Sequence, residues 1–114
     1  MSYDFNLSIL IGHLGKTPNI VQKDEQHEFA TLSLATNENW FKNGEKHQHT
    51  EWHEVIVNGP MVKFVKRLNV GDEVLIMGKS YCRKWKDKEG HDRFSKVIIA
   101  QKLRFLSTPT TEAA

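Results

Sequence analysis

Three tryptophans of this chain stand among polar or basic neighbours. Trp85 lies in "YCRKWKDKEGHDRF" (residues 81–94), flanked by Arg83, Lys84 and Lys86. Trp40 lies in "NENWFKNGEKHQHT" and Trp52 in "TEWHEVIVNG". An indole offers a flat π-face, and lysine or arginine offers a charge for phosphate. That mixture suits an anionic ligand with planar groups, such as single-stranded nucleic acid. A base stacked on an aromatic ring contributes roughly 1–3 kcal/mol without being identified, and phosphate neutralisation adds a salt-dependent term. Packing in a core or a subunit contact is the structural alternative for each ring.

Such a site needs elements to hold it. The pattern is mostly strands. "FNLSILIGHLG" alternates, with Leu7, Ile9 and Ile11 on one side, until Gly12 and Gly15 permit a bend. "TPNI" reads as a turn, and "EFATLSLAT" as a second strand closed by Asn37, Asn39, Asn43 and Gly44. In the third, "TEWHEVIVNG", His53, Val55 and Val57 share the core-side face, which turns Trp52, Glu54 and Ile56 away from it. Pro60 suits a helix start, with Met61, Phe64, Val65 and Leu68 at i, i+3, i+4, i+7. "DEVLIMGKSYCRKW" and "DRFSKVIIAQKLRFL" are the fourth and fifth strands. The fold class is therefore all-β: a five-stranded OB-fold barrel, a Greek key with one short helix between strands 3 and 4. Another small β-barrel is the competitor. The domain spans residues 1–106, and "STPTTEAA", residues 107–114, reads as a frayed tail.

A two-residue turn at Glu89-Gly90 would set Trp85 opposite Phe94, Arg83 opposite Lys96 and Lys86 opposite Arg93. Like charges facing across a hairpin destabilise it, which an anionic ligand would relieve. On this reading Tyr81, Arg83 and Trp85 share a side, and Cys82, opposite them, is a small core residue. The candidate nucleic-acid-binding residues are Trp40, Trp52, Trp85 and Phe94, with Arg83, Lys84, Lys96 and Lys42 as cations and Ile56 on the Trp52 face.

Composition agrees. The formal charge is only +2, but residues 1–60 hold four lysines against eight acids, whereas residues 61–114 hold twelve lysines or arginines against six. A basic half points to an anionic partner, with a solvated surface as the bland alternative. No apolar run approaches the roughly 20 residues that span a bilayer, and the start "MSYDFNLSIL" does not read as a signal peptide. The lone Cys82 forms no internal bridge, and a reducing cytoplasm is the expected setting. His47, His49 and His53 give H-x-H-x3-H, but two of them fall in a polar stretch, so no metal site is expected. Asp87, Glu89 and Asp92 read as turn acids and not as a nuclease centre; the chain is not expected to be an enzyme.

"ILIGHLGKTP", "ATLSLATNENW", "TEWHEVIVNG" and "RKWKDKEGHDRF" resemble, in order and spacing, the bacterial single-stranded DNA-binding protein family across residues 5–106. The resemblance implies an OB barrel assembled as a homo-oligomer, a tetramer before a dimer. It implies coating of single-stranded DNA, with RNA left open, during replication, recombination or repair, without catalysis or cofactor, in the nucleoid-bearing cytoplasm. It matches Trp40, Trp52 and Trp85 to base-stacking positions, Arg83 and Lys84 to backbone-binding ones, and His53 to a subunit contact. Three features depart from the family. "NGP" (Asn58 to Pro60) replaces an "FGK"-like stacking residue and cation, and His13 replaces an asparagine. "TTEAA" stands where the family carries a long tail with an acidic tip, so tail-mediated recruitment of repair enzymes is doubtful. Either the tail has been removed or the chain is a short paralogue, for instance of a phage or mobile element. The competing class is an OB-fold protein-interaction module of the primosomal replication-restart kind, with weak nucleic-acid binding.

Overall fold

The computed structural model describes residues 4–109. It contains β1 (Ser8–Leu14), β2 (Asn19–Gln22), β3 (Glu28–Lys42), β4 (Glu45–Asn58), α1 (Met61–Val65), β5 (Glu73–Lys86) and β6 (Asp92–Ser107). Five of the strands form a closed barrel in the order β1-β5-β6-β4-β3, shut by the pairing of His13 and Leu14 of β1 with Ala35 and Leu34 of β3. Alternation builds the core. Ala30, Leu32 and Leu34 of β3, Val55 and Val57 of β4, and Val74 and Ile76 of β5 all point inward and are buried. Ile98 and Leu103 of β6 join them, and α1 caps them with Val62 and Val65.

Closing so small a barrel brings backbones close together. A Cβ on Gly12 would collide with the Ala35 carbonyl, and one on Gly78 with the Ile99 carbonyl, where β6 shifts register against β5.

Four local readings are corrected. "TPNI" is only partly turn, because Asn19–Gln22 forms β2 against residues 28–31 of β3; two apolar residues, Ile20 and Val21, were too few to show a period. The polar stretch around Trp40 is not a loop. β3 and β4 stay paired from Phe29↔Asn58 to Lys42↔Glu45 and turn at Asn43-Gly44, with φ of 52° and 79°. Two positive φ values in succession favour Asn-Gly and give a tight hairpin. The helical face is rotated: Val62, Val65 and Leu68 are buried, while Phe64 is exposed. The bonds from Arg67 N–H to Phe64 and from Leu68 N–H to Val65 wind this segment three residues to the turn, which aligns i, i+3 and i+6.

The fourth correction is the β5–β6 register. Trp85 faces Arg93, Lys84 faces Phe94, Arg83 faces Ser95, Cys82 faces Lys96 and Lys86 faces Asp92. The connection spans residues 87–91 and not two, because Asp87 builds it. Its carboxylate accepts the main-chain N–H groups of Glu89 and His91 and the Nε–H of Arg93, each at 2.9 Å. The like-charge pairs expected across the hairpin are therefore absent. Cys82 is exposed and not in the core. At the C-terminal end β6 continues to Ser107, whose hydroxyl donates to Glu73 at 3.2 Å, while residues 110–114 of the expected tail lie outside the described residues.

Two predictions arise here. Gly12→Ala should destabilise the barrel by about 1–3 kcal/mol through overpacking, read from the urea unfolding midpoint; an unchanged midpoint would contradict the close approach. The His91 N–H, aided by Arg93, holds the Asp87 carboxyl below its ordinary 3.8 against a smaller opposing effect of burial. A depressed carboxyl favours the ionised, folded loop, so its contribution is complete above pH 3.8 and is lost as pH falls through the lowered value. The NMR carboxyl carbon shift of Asp87 should titrate with a midpoint clearly below 3.8; a midpoint at or above it would sink the clamp.

Candidate nucleic-acid interface

The alternation that buries Val55 and Val57 turns Trp52, Glu54 and Ile56 outward. Parallel pairing of Glu54 with Val97 and Ile56 with Ile99 aligns them with the outer side chains of β6. Antiparallel pairing of β6 with β5 then adds Tyr81, Arg83 and Trp85. One continuous outer face thus carries Trp52, Ile56, Tyr81, Arg83 and Trp85, as the alternation of the strands requires.

Each ring is open to solvent. Trp52 is 57% exposed and Trp85 45%. Trp52 lies against Gly15, where any Cβ would run into the indole. The cleft beside it, about 420 Å³, is lined by Lys16, Thr31, Ser33 and Glu54. Trp85 is fixed differently, its Nε1–H donating to Ser95 Oγ at 2.9 Å.

Trp40 and Lys42 stand elsewhere, on the far part of the β3–β4 ribbon. Trp40 is 43% exposed, and by the pleat it points to the side of the ribbon opposite Trp52. Its cross-strand neighbour His47 stacks on it, with centroids 5.7 Å apart and planes 18° from parallel. Lys42 flanks the turn opposite Glu45. Lys84, Phe94 and Lys96 occupy the reverse of the β5–β6 ribbon from Trp85 and Arg83. Lys96 borders the barrel mouth with Ser8, Leu10 and His53.

The cations fall into two groups. Arg83 Nη2 contacts both Glu54 carboxylate oxygens, at 3.2 and 3.1 Å; Lys84 pairs with Asp92 at 3.3 Å and Arg93 with Asp87 at 2.9 Å. Lys16, Lys42, Lys79, Lys86, Lys88 and Lys96 make no ion pair among the described residues. The free cations are thus mostly not the ones the motif singled out.

His53 keeps to the core side of β4. It is half-buried, and its Nε2 lies 2.9 Å from Thr36 Oγ1. The other histidines of the H-x-H-x3-H pattern have separate neighbours: His47 has Trp40, and His49 lies 3.8 Å from Glu51. Among the described residues no three His, Cys, Asp or Glu side chains gather as metal ligands.

Sequence reading gave no binding role to Lys16, Phe41, His47, Glu54 or Ser95. Alternation alone could have flagged Ser95, two residues before Val97 on the outer face. The Asn43-Gly44 turn could have flagged Phe41, which is 74% exposed on the ribbon. Nothing in the sequence marks the Arg83–Glu54 pairing.

Known proteins share this architecture. A Plasmodium falciparum single-strand binding protein, solved in complex with single-stranded DNA, superposes with a TM-score of 0.84 and 31% identity, covering 94% of this chain and 99% of that one. A small single-stranded DNA-binding protein from Streptomyces coelicolor superposes with a TM-score of 0.70, covering 87% and 92%. At 21% identity it speaks for the fold alone. The Single-strand binding protein family matches residues 5–106, nearly the whole barrel, so the chain belongs to that family.

Proposed function

We propose that the chain coats single-stranded DNA without sequence preference, stacking bases on Trp52, Trp85 and Trp40 while lysines and arginines meet the phosphates. Family membership supports single-strand binding itself. One observation carries the residue-level reading: Trp52 and Trp85 are open to solvent on a single outer face, with Ile56 beside the first on β4 and Arg83 beside the second on β5. The role is protection of strands exposed in replication, recombination or repair, a binding role and not a catalytic one. Phe94, Lys84 and Lys96, behind the β5–β6 ribbon, serve a strand that wraps around its edge, and Lys42 serves the far ribbon beside Trp40.

Oligo-dT should quench tryptophan emission strongly at low salt, and log K should fall with log salt by about 0.7 per phosphate contacted. Emission unchanged at saturating oligo-dT would hand this face to a protein partner. Trp85→Ala should weaken binding by roughly 1–3 kcal/mol; a folded variant with undiminished affinity would remove Trp85 from the site.

The proposal includes self-assembly, with His53 at or near the subunit contact. Leu7, just before β1, and Ile9 and Ile11 on it lie at the surface, 43%, 55% and 52% exposed. Beside them β3 pairs only with His13 and Leu14, so residues 8–12 keep an open strand edge. An apolar stripe along an open edge suits a second copy. Native mass spectrometry should show an oligomer, with a tetramer expected; a monomer at micromolar concentration would refute this.

A further inference from the structure

The Trp40–His47 stack lies on a part of the β3–β4 ribbon where the core gives no support. From Asn37 to Lys42 every residue of β3 is exposed, yet His47 is half-buried. Its shelter includes the indole it stacks on. Stacking on His47 commits one face of Trp40, while the residue as a whole stays 43% exposed.

We propose that His47 is a positioning residue of the nucleic-acid site: its imidazole backs Trp40, presents the opposite indole face to a base, and when protonated adds a cation beside that base's phosphate. This rests on the reading of Trp40 as a base-stacking platform. A stacked aromatic pair holds its rings more firmly than area burial alone, and an imidazolium over an indole face gains further attraction. Histidine is the residue type that changes charge between about pH 5 and 8. The charged or titratable groups sharing this side of the ribbon are Glu38 and Lys42 from β3, and Glu45, His49 and Glu51 from β4. His49, 3.8 Å from Glu51, is the other histidine on this side of the ribbon and serves as the control.

Oligo-dT titrations at several salt concentrations, at about pH 5.5 and about pH 8, compare wild type with His47→Phe, His47→Ala and His49→Ala. His47 should steepen the wild-type salt slope at acid pH by up to about 0.7, one phosphate contact. His47→Phe should match wild-type affinity at the higher pH and lose that part of the acid steepening. His47→Ala should bind roughly two- to tenfold more weakly at the higher pH, and His49→Ala should keep the wild-type response. His47→Ala with wild-type affinity, His47→Phe with the acid response intact, or loss of that response in His49→Ala would each overturn the inference while leaving single-strand binding in place. A wild-type protein that binds no oligo-dT at either pH would remove the reading beneath it as well.

Discussion

Uninterrupted pairing of β3 with β4 governs the rest of the molecule. Between Phe29↔Asn58 and Ala35↔Trp52 the two strands are barrel wall, and between Thr36↔Glu51 and Lys42↔Glu45 they become a ribbon. One alternation runs through both parts. It places Leu32, Leu34, Val55 and Val57 inside, where each buried side chain contributes roughly 1.5–3 kcal/mol, and so forces Trp52 outside. A slip of one residue would exchange the two sets. Trp52 is therefore exposed because the valines beside it are buried, and the binding face inherits its geometry from the core.

Charge is organised more subtly than a basic half suggests. Arg83, Lys84 and Arg93 are each held by an acid, Glu54, Asp92 and Asp87. These pairs are largely exposed, and exposed pairs are worth about 0–1 kcal/mol. A phosphate can displace such an acid at little cost, while the pairing keeps a long side chain extended across the face beforehand. On the proposed reading the unpaired lysines supply the counterion release. On the proposed binding face Glu54 and Asp87 thus orient Arg83 and Arg93 without cancelling them, Asp87 doing so while it also shapes the loop, and Asp92 holds Lys84 on the reverse.

The barrel was legible in the sequence because burial leaves a period. Strand alternation located Val55 and Val57 inside and Trp52 outside, and one helix between the third and fourth barrel strands pointed to the topology. Where burial is missing, the period is missing too. The ribbon from Asn37 to His49 buries neither side in the core, so only its Asn43-Gly44 turn announced it. The β5–β6 register was misread because Asp87 closes a five-residue loop with side-chain bonds that a turn rule based on Glu89-Gly90 does not contain. The face of α1 was misread because its winding tightens toward three residues per turn. The candidate site was legible as residue types, and its sidedness was not: a single residue of register decides that Trp85 meets Arg93 while Phe94 sits behind with Lys84.

An exposed indole that swings freely is a poor platform, since ordering it on binding costs rotamer entropy. Each of the three rings is restrained, and each by a different chemistry. Trp52 lies on Gly15, whose missing side chain makes room for the ring. Trp85 is tied through its Nε1–H to Ser95. Trp40 stacks on His47. In every case the protein occupies one aspect of the ring and leaves another to solvent, so the ordering is done before a base arrives. The restraints fall on Gly15, Ser95 and His47, none of which the sequence marked as a partner of a tryptophan; on the proposed reading the rings define what the site can bind, and these partners define how ready it is to do so.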